Sequence, residues 1–167
     1  MSFTFGRHTY GAPKVLWPEA AILKIGSFCS IGASVIINLG GEHRTDWVTT
    51  YPFTHKWGAK SIKGHPTTKG NIIIGNDVWI GTGAFITSGV TVGDGVVIGS
   101  RSIVSSNLES YGIYVGNPAR LIRKRFSEQQ IDALLKIAWW NWDDKKIAKF
   151  IPLLLNQNID AFIAGAK

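Results

Sequence analysis

The sequence holds a single cysteine, Cys29, so no disulfide can form within the chain. A lone thiol suits a reducing compartment. Long apolar runs are missing too. The longest, Phe150 to Leu155, contains Pro152 and falls far short of the ~20 residues that span a bilayer. The opening stretch Met1 to Arg7 lacks the apolar core of a secretory signal. A cytoplasmic protein with no membrane partner is expected. Charge is sparse: 17% of residues are charged and 45% hydrophobic, which excludes a disordered chain. Acidic residues are the scarcer sign, 11 against 18 Lys and Arg, for a formal charge of +7. Nucleic-acid binding would account for that balance, but no recognised binding motif accompanies it, so no nucleic-acid partner is expected. The 167 residues are enough for one domain with a sizeable core that needs no staples.

Several functional signatures are absent. There is no P-loop string. Gly93-Asp94-Gly95 runs on into Val96-Val97-Ile98, where a dinucleotide fingerprint needs a third glycine. No histidine occurs from residue 66 onward, so zinc ligands on successive repeats are missing and no metal is expected.

Proline is scarce and glycine abundant, 6 against 19, and the glycines keep time. Ile74-Gly75 is followed six residues on by Ile80-Gly81, then Ile86-Thr87, Val92-Gly93, Ile98-Gly99 and Val104-Ser105. Ile25-Gly26, Ile31-Gly32 and Ile37-Asn38 share the beat upstream. Four residues after each aliphatic comes a small or β-branched residue: Cys29, Val35, Val78, Ala84, Val90, Val96, Ser102. A helical reading would bury glycines inside helices at about 1 kcal/mol each. The pattern instead predicts a mainly β fold, a parallel β-solenoid. Each hexapeptide supplies a short strand and a corner, with the aliphatic inward and the glycine allowing the turn. Three hexapeptides close a triangular coil of 18 residues, and coils stack at ~4.8 Å. Residues 74–109 make two coils and 25–42 one more; 7–24 form a degenerate opening coil with Val15, Trp17 and Ile22.

The beat stops over Glu42 to Gly70, a length that inside a compact domain points to function. The stretch is rich in His43, Trp47, Tyr51, His55, Trp57 and His65. After the repeat, Ser127-Glu128-Gln129-Gln130 has the form of a capping box. Ile131, Leu134, Leu135, Trp139 and Trp142 then share a helical face. A second helix begins near Asp143-Asp144, with Ile147, Phe150, Ile151 and Leu154 inward and Pro152 kinking or dividing it. The organisation expected is one domain: a repeat over 1–126 with the inserted loop at about 42–70, and a helical cap over 127–167 closing the open end of the coil.

Five stretches together resemble a known family: "LKIGSFCSIG" at 23–32, "GGEHRTDWVTTYPF" at 40–53, "KGHPTTKGNIIIGNDVWIG" at 63–81, "YVGNPARLIRKRF" at 114–126 and "WWNWDDKKI" at 139–147. They resemble the hexapeptide-repeat acyltransferases, and within them the xenobiotic (streptogramin and type-B chloramphenicol) O-acetyltransferases. The resemblance implies a left-handed β-helix prism, which periodicity cannot show, and a homotrimer with active sites in the clefts between prisms. It implies acetyl-CoA as donor and a small hydroxylated acceptor, antibiotic-like or a sugar. His43 matches the catalytic histidine of the "GGEHRTDW" stretch. Asp46, Trp47, Tyr51 and His65 are candidates for the acceptor pocket. Trp79, Ala84, Ser102 and the basic run Arg120, Arg123, Lys124, Arg125 are candidates for the coenzyme groove.

His43 has a chemical rationale of its own. A hydroxyl attacks a thioester slowly unless its proton is removed as the bond forms, and a neutral imidazole suits that task. The basic run offers Arg forks that match phosphates such as those of coenzyme A, and one or two of the four are expected to engage. His65 could touch the acceptor or steady the loop. His8 and His55 read as surface residues, and Cys29 as a packed core thiol. Another enzyme class on the same repeat, or a non-catalytic scaffold, are the alternatives. A scaffold would not need a broken repeat with His43 in the loop.

Overall fold

The structure, a computed structural model, describes residues 3–59 and 61–166. Its strands are visited in rotation by three sheets. One sheet runs β1 (Phe3–Phe5), β3 (Leu23–Ile25), β6 (Ile72–Ile74), β9 (Thr91–Val92). The second runs β4 (Ser30–Ile31), β7 (Trp79–Ile80), β10 (Val97–Ile98), β12 (Gly112–Val115), then β13 (Arg120–Lys124). The third runs β2 (Lys14–Leu16), β5 (Ile36–Asn38), β8 (Phe85–Ile86), β11 (Ile103–Val104). Among the described residues every pairing of these strands is parallel except β12 with β13. This is the solenoid that the six-residue beat predicts.

Register puts the beat aliphatics in columns. Ile25 lies on Ile74 and Ile74 on Val92. Ile31 lies on Ile80, then Ile98, then Tyr114. Ile37 lies on Ile86, and Ile86 on Val104. All are buried, as are Cys29, Val35, Val78, Ala84, Val90, Val96 and Ser102 between them. Each such aliphatic contributes about 1.5–3 kcal/mol by leaving water. Burial pushes the Cys29 thiol above its ordinary range, and its Sγ lies 3.2 Å from the Gly75 carbonyl, which makes it an inert packing group.

The beat glycines serve a purpose other than the turn. A Cβ built on Gly81 would lie 2.5 Å from the Ser100 nitrogen and 2.9 Å from the Gly99 carbonyl carbon of the next coil. Coil-to-coil approach, not positive φ, demands glycine there. The left-handed residue of each corner comes two positions later, at Asp77 (φ 54°), Gly95 (φ 67°) and Arg101 (φ 58°) among others.

Among the described residues the opening coil is already formed at Phe3, earlier than expected. Phe5 aligns with Ile25, Tyr10 bridges Ser30, and Val15 aligns with Ile37. Val15 packs on the core, but Trp17 and Ile22 are exposed. Trp17 turns outward at φ 54° and its indole covers Gly41.

The helical segment departs more from expectation. Its first helix, α2 (Glu128–Ile137), is capped as predicted, with Ser127 Oγ accepting from the Gln130 N–H and Gln130 Oε1 accepting from the Ser127 N–H. (α1 is the short helix Phe53–Lys56 inside the loop.) It ends at Ile137 because Ala138 is left-handed, so Trp139 falls in a 3-10 turn and Trp142 just after it. Pro152 lies inside α3 (Asp144–Leu154) near its end and does not divide it, since few intrahelical bonds follow it there. Ile151, expected inward, is 46% exposed. A further helix, α4 (Ile159–Gly165), buries Phe162.

These helices pack along one edge of the coil rather than over its open end. That edge is a stack of corners: Phe28 N–H to Arg7 O, Asp77 N–H to Ser27 O, Gly95 N–H to Asn76 O and Tyr111 N–H to Asp94 O. Its outward side chains meet the helical cluster all along. Arg7 donates to the Trp140 carbonyl and pairs with Asp144; Phe28 packs on Trp139 at 4.8 Å; Tyr111 packs on Phe126 at 5.8 Å. The apolar strip of Phe28 and Tyr111 is what Leu134, Trp140 and Phe162 bury. The coil ends instead in the β12–β13 hairpin, with Leu108, Tyr114 and Ala119 completing the core. Among the described residues no helix is long and apolar enough to cross a membrane.

Candidate active site

The inserted loop leaves the third sheet after β5 and is pinned at its neck. Glu42 and Thr67 exchange backbone hydrogen bonds of 3.1 and 2.9 Å. Glu42 Oε1 accepts from Ser88 Oγ on the neighbouring coil, and Ser88 Oγ accepts from the Lys69 N–H at 3.0 Å. Thr68 Oγ1 donates to the Leu39 carbonyl at 2.6 Å. Gly41 must lack a side chain, because a Cβ there would sit 2.1 Å from the Trp17 indole nitrogen. His43 is therefore the first free side chain beyond a rigid neck.

His43 is exposed. Its Nδ1 lies 2.8 Å from the Thr50 carbonyl oxygen. A carbonyl can only accept, so in the neutral ring Nδ1 carries the hydrogen and Nε2 keeps its lone pair. A base so oriented can take a proton from a group approaching from solvent.

Around it lie Trp47, His65, Arg44 and Asp46. The His65 ring packs on His43 at 4.7 Å and on Trp47 at 5.9 Å. Arg44 lies over Trp47 at 5.2 Å and grips both carboxylate oxygens of Asp46, Nε to Oδ1 at 2.6 Å. The hydrogen bonds from Arg44 hold the Asp46 carboxyl down to about 2. The Tyr51 ring packs on Phe53 at 4.9 Å, and Phe53 packs on Trp57 at 5.5 Å.

Two of the acceptor candidates differ from expectation. His65 is buried, with neither ring nitrogen accessible, so it cannot touch an acceptor in this conformation. Asp46 spends its charge on Arg44. Trp47 and Tyr51 remain accessible, half-buried and exposed.

The coenzyme candidates divide in the same way. Ala84 and Ser102 have no exposed surface, and Ser102 Oγ accepts from the Gly116 N–H at 3.0 Å inside the coil. They fall at the inward small position of their hexapeptides, so neither can line an outer groove. Trp79 points outward and is 58% exposed. Register carries it across the sheet to Val97, Ile113 and finally Arg123. Arg120 and Arg123 are exposed. Lys124 is engaged within the fold, its Nζ 2.9 Å from Glu109 Oε2 and 3.3 Å from the Ser110 carbonyl. Arg125 is engaged likewise, bonding Asp77 at 3.1 Å and the Gly95 carbonyl at 2.8 Å. Burial pushes the Asp77 carboxyl up, against the pull of Arg125.

Sequence reasoning missed Glu42, Ser88 and Thr50. Glu42 and Ser88 lie 46 residues apart and meet only through coil stacking. Thr50 acts through its main chain, which leaves no mark on residue type.

Residues 71–106 match the family described as bacterial transferase hexapeptide (six repeats). The chain is 43% identical over 142 residues to a chloramphenicol acetyltransferase of Klebsiella aerogenes, covering 82% of this chain and 68% of that protein. It is 45% identical over 142 residues to a probable macrolide acetyltransferase of Lysinibacillus sphaericus, covering 81% and 78%. Among solved structures, a hexapeptide-repeat acetyltransferase from Vibrio cholerae O1 biovar eltor, in complex with acetyl coenzyme A, matches with a TM-score of 0.61 at 27% identity. That match covers 75% of this chain and 62% of the other. With the repeat, the loop histidine and the fold in agreement, the chain belongs to the hexapeptide-repeat acetyltransferase family that includes the chloramphenicol and macrolide acetyltransferases.

Proposed function

We propose that the protein is an acetyl-CoA-dependent O-acetyltransferase with His43 as its general base. The observation that carries this reading is the exposed His43 ring with Nδ1 committed to the Thr50 carbonyl. The acceptor hydroxyl donates to His43 Nε2. As its oxygen forms a bond to the thioester carbonyl carbon, the proton passes to Nε2. The tetrahedral oxyanion collapses, the C–S bond breaks, and the leaving thiolate takes the proton from the imidazolium. Acetylated acceptor and free coenzyme A result, and His43 returns to its starting state. The thioester is already activated, so no covalent enzyme intermediate is needed.

The acceptor is an antibiotic-like hydroxyl compound or a sugar, received among the aromatic side chains of the loop, Trp47 and Tyr51 foremost. The antibiotic-like reading is supported by the acceptors in the relatives' names, and the aromatic side chains of the loop suit either class. A thiol-release assay with acetyl-CoA against chloramphenicol, a macrolide and simple sugars tests it. Turnover with one acceptor gaining a single acetyl mass is expected. No thiol release with any of them would sink the reading.

The coenzyme is assigned to the row Trp79, Val97, Ile113, Arg123, with Arg120 beside it. Arg120 and Arg123 form no ion pair among the described residues and donate only to the main-chain carbonyls of Ala119 and Lys124, which leaves their charge for its phosphates. Replacing both with Ala should raise KM for acetyl-CoA roughly ten- to a hundredfold. The value of kcat should change little, because these contacts are made equally in ground and transition states. The defect should vanish with an acetylated pantetheine that lacks the nucleotide. An equal loss with both donors would remove the assignment.

The left hand of the coil, a cytoplasmic location and a trimer come from the family. The outward rows support the last. Two sheets carry rows that are apolar over three successive coils, Trp79–Val97–Ile113 beyond Ser30 and Ile36–Phe85–Ile103 beyond Lys14, whereas the third presents Thr4, Lys24, Ile73 and Thr91. Two different apolar faces on one chain suit a closed ring of heterologous contacts. Three chains of 18.3 kDa should scatter light as about 55 kDa. An active monomer would overturn the shared cleft.

A further inference from the structure

We propose that His65 is a positioning residue for His43 that works through its ring alone, as the inner member of a stack running Asp46–Arg44–Trp47–His65–His43. The proposal deepens the acyl-transfer reading and rests on it. His65 is 7% exposed, and among the described residues neither Nδ1 nor Nε2 has a hydrogen-bond partner. Buried polar atoms are nearly always paired. Among the described residues, what holds this imidazole is packing of its ring. Its backbone is anchored separately, the carbonyl accepting from Thr54 Oγ1 at 2.9 Å. What remains is a flat ring in two contacts: edge-to-face with His43 at 4.7 Å and 74°, and tilted on Trp47 at 5.9 Å and 31°.

That geometry supplies what the Thr50 hydrogen bond cannot. His43 is exposed, so its one bond at Nδ1 can be exchanged for water and by itself lets the ring swing off the Thr50 carbonyl. A ring edge against the same imidazole resists that swing. Together the two restraints determine where Nε2 points, and a misplacement near 1 Å at a reacting atom can cost up to about a hundredfold in rate. His65 is itself backed by Trp47, Trp47 by the Arg44 guanidinium at 5.2 Å, and Arg44 by Asp46. The family resemblance made Asp46 a candidate for the acceptor pocket and left His65 between the acceptor and the loop. The stack instead makes them supports of the base, with Trp47 between them.

Two variants of the full chain separate ring from nitrogen. His65→Phe keeps a flat ring and removes both nitrogens; His65→Asn keeps polar atoms and removes the ring. Thermal melts and coenzyme A binding show that each variant is folded. The first readout is the imidazole 15N spectrum, where the sequence holds four histidines to resolve. The second is thiol release with acetyl-CoA and chloramphenicol as the probes. In the parent protein and in His65→Phe, His43 should show the Nδ1–H tautomer, and the phenyl variant should keep kcat within about threefold. In His65→Asn the tautomer signal should become mixed, and kcat should fall about ten- to a hundredfold with KM for acetyl-CoA unchanged. Loss of the tautomer in the Phe variant, or its retention in the Asn variant, overturns the proposal. The spectrum does not depend on turnover, so a parent protein that acetylates nothing would count against the proposed function while the tautomers still decide the role of His65.

Discussion

Replacing His43 by Ala is expected to lower kcat by about 10²–10⁴-fold. The range is that of a lost general base, because the hydroxyl must then attack with its proton still attached. The neck of the loop should be undisturbed: the Glu42–Thr67 bridge, the Ser88–Glu42 bond and the Gly41–Trp17 contact are all made without the imidazole. KM for acetyl-CoA should stay near the parent value, since the coenzyme is assigned to a row on another sheet. Steady-state kinetics with both substrates varied would separate the two constants. Turnover within a fewfold of the parent would remove His43 from the chemistry. A loss confined to KM would make it a binding group instead.

The second large effect is on stability. Gly81→Ala should lower it by about 3 kcal/mol or more, at the upper end of what overpacking costs. The added Cβ would meet the Ser100 nitrogen at 2.5 Å and the Gly99 carbonyl carbon and Ile98 carbonyl oxygen at 2.9 Å. These are backbone atoms of the next coil, paired in register on both sides, so they cannot step aside as a side-chain tip would. Gly83, two residues on, is the control. It is left-handed at φ 72°, but a Cβ there meets only the Arg101 Cγ at 3.4 Å. Gly83→Ala should cost about 1–2 kcal/mol, the strain of a left-handed L-residue. At fixed protein concentration, Gly81→Ala should lower Tm by about 6–12 °C and Gly83→Ala by about half of that or less. If Gly83 proved the costlier site, the turn rather than coil spacing would be what the beat glycines provide.

That comparison bears on how far residue order speaks for itself. Period six is a local property, so the sequence by itself determined the inward columns: Ile25, Ile31 and Ile37, then Ile74 through Val104, are buried where the beat put them. Which glycine answers to the turn and which to stacking was not legible, because a residue 18 positions away supplies the clash. The capping box at Ser127 was legible, being a contact across three residues. The place where the helices pack was not, since the edge that receives them is assembled from Arg7, Phe28, Asp77 and Tyr111 on different coils. The site divides along the same line. His43 stood out as a titratable side chain at a break in the repeat. Its tautomer, the burial of His65, the withdrawal of Ala84 and Ser102 into the core, and the engagement of Lys124 by Glu109 were decided by tertiary structure alone. Residue type records what a side chain can do. Whether it faces solvent, core or another charge depends on neighbours brought together by coil stacking and by the folding back of the loop, and those are set by the chain as a whole.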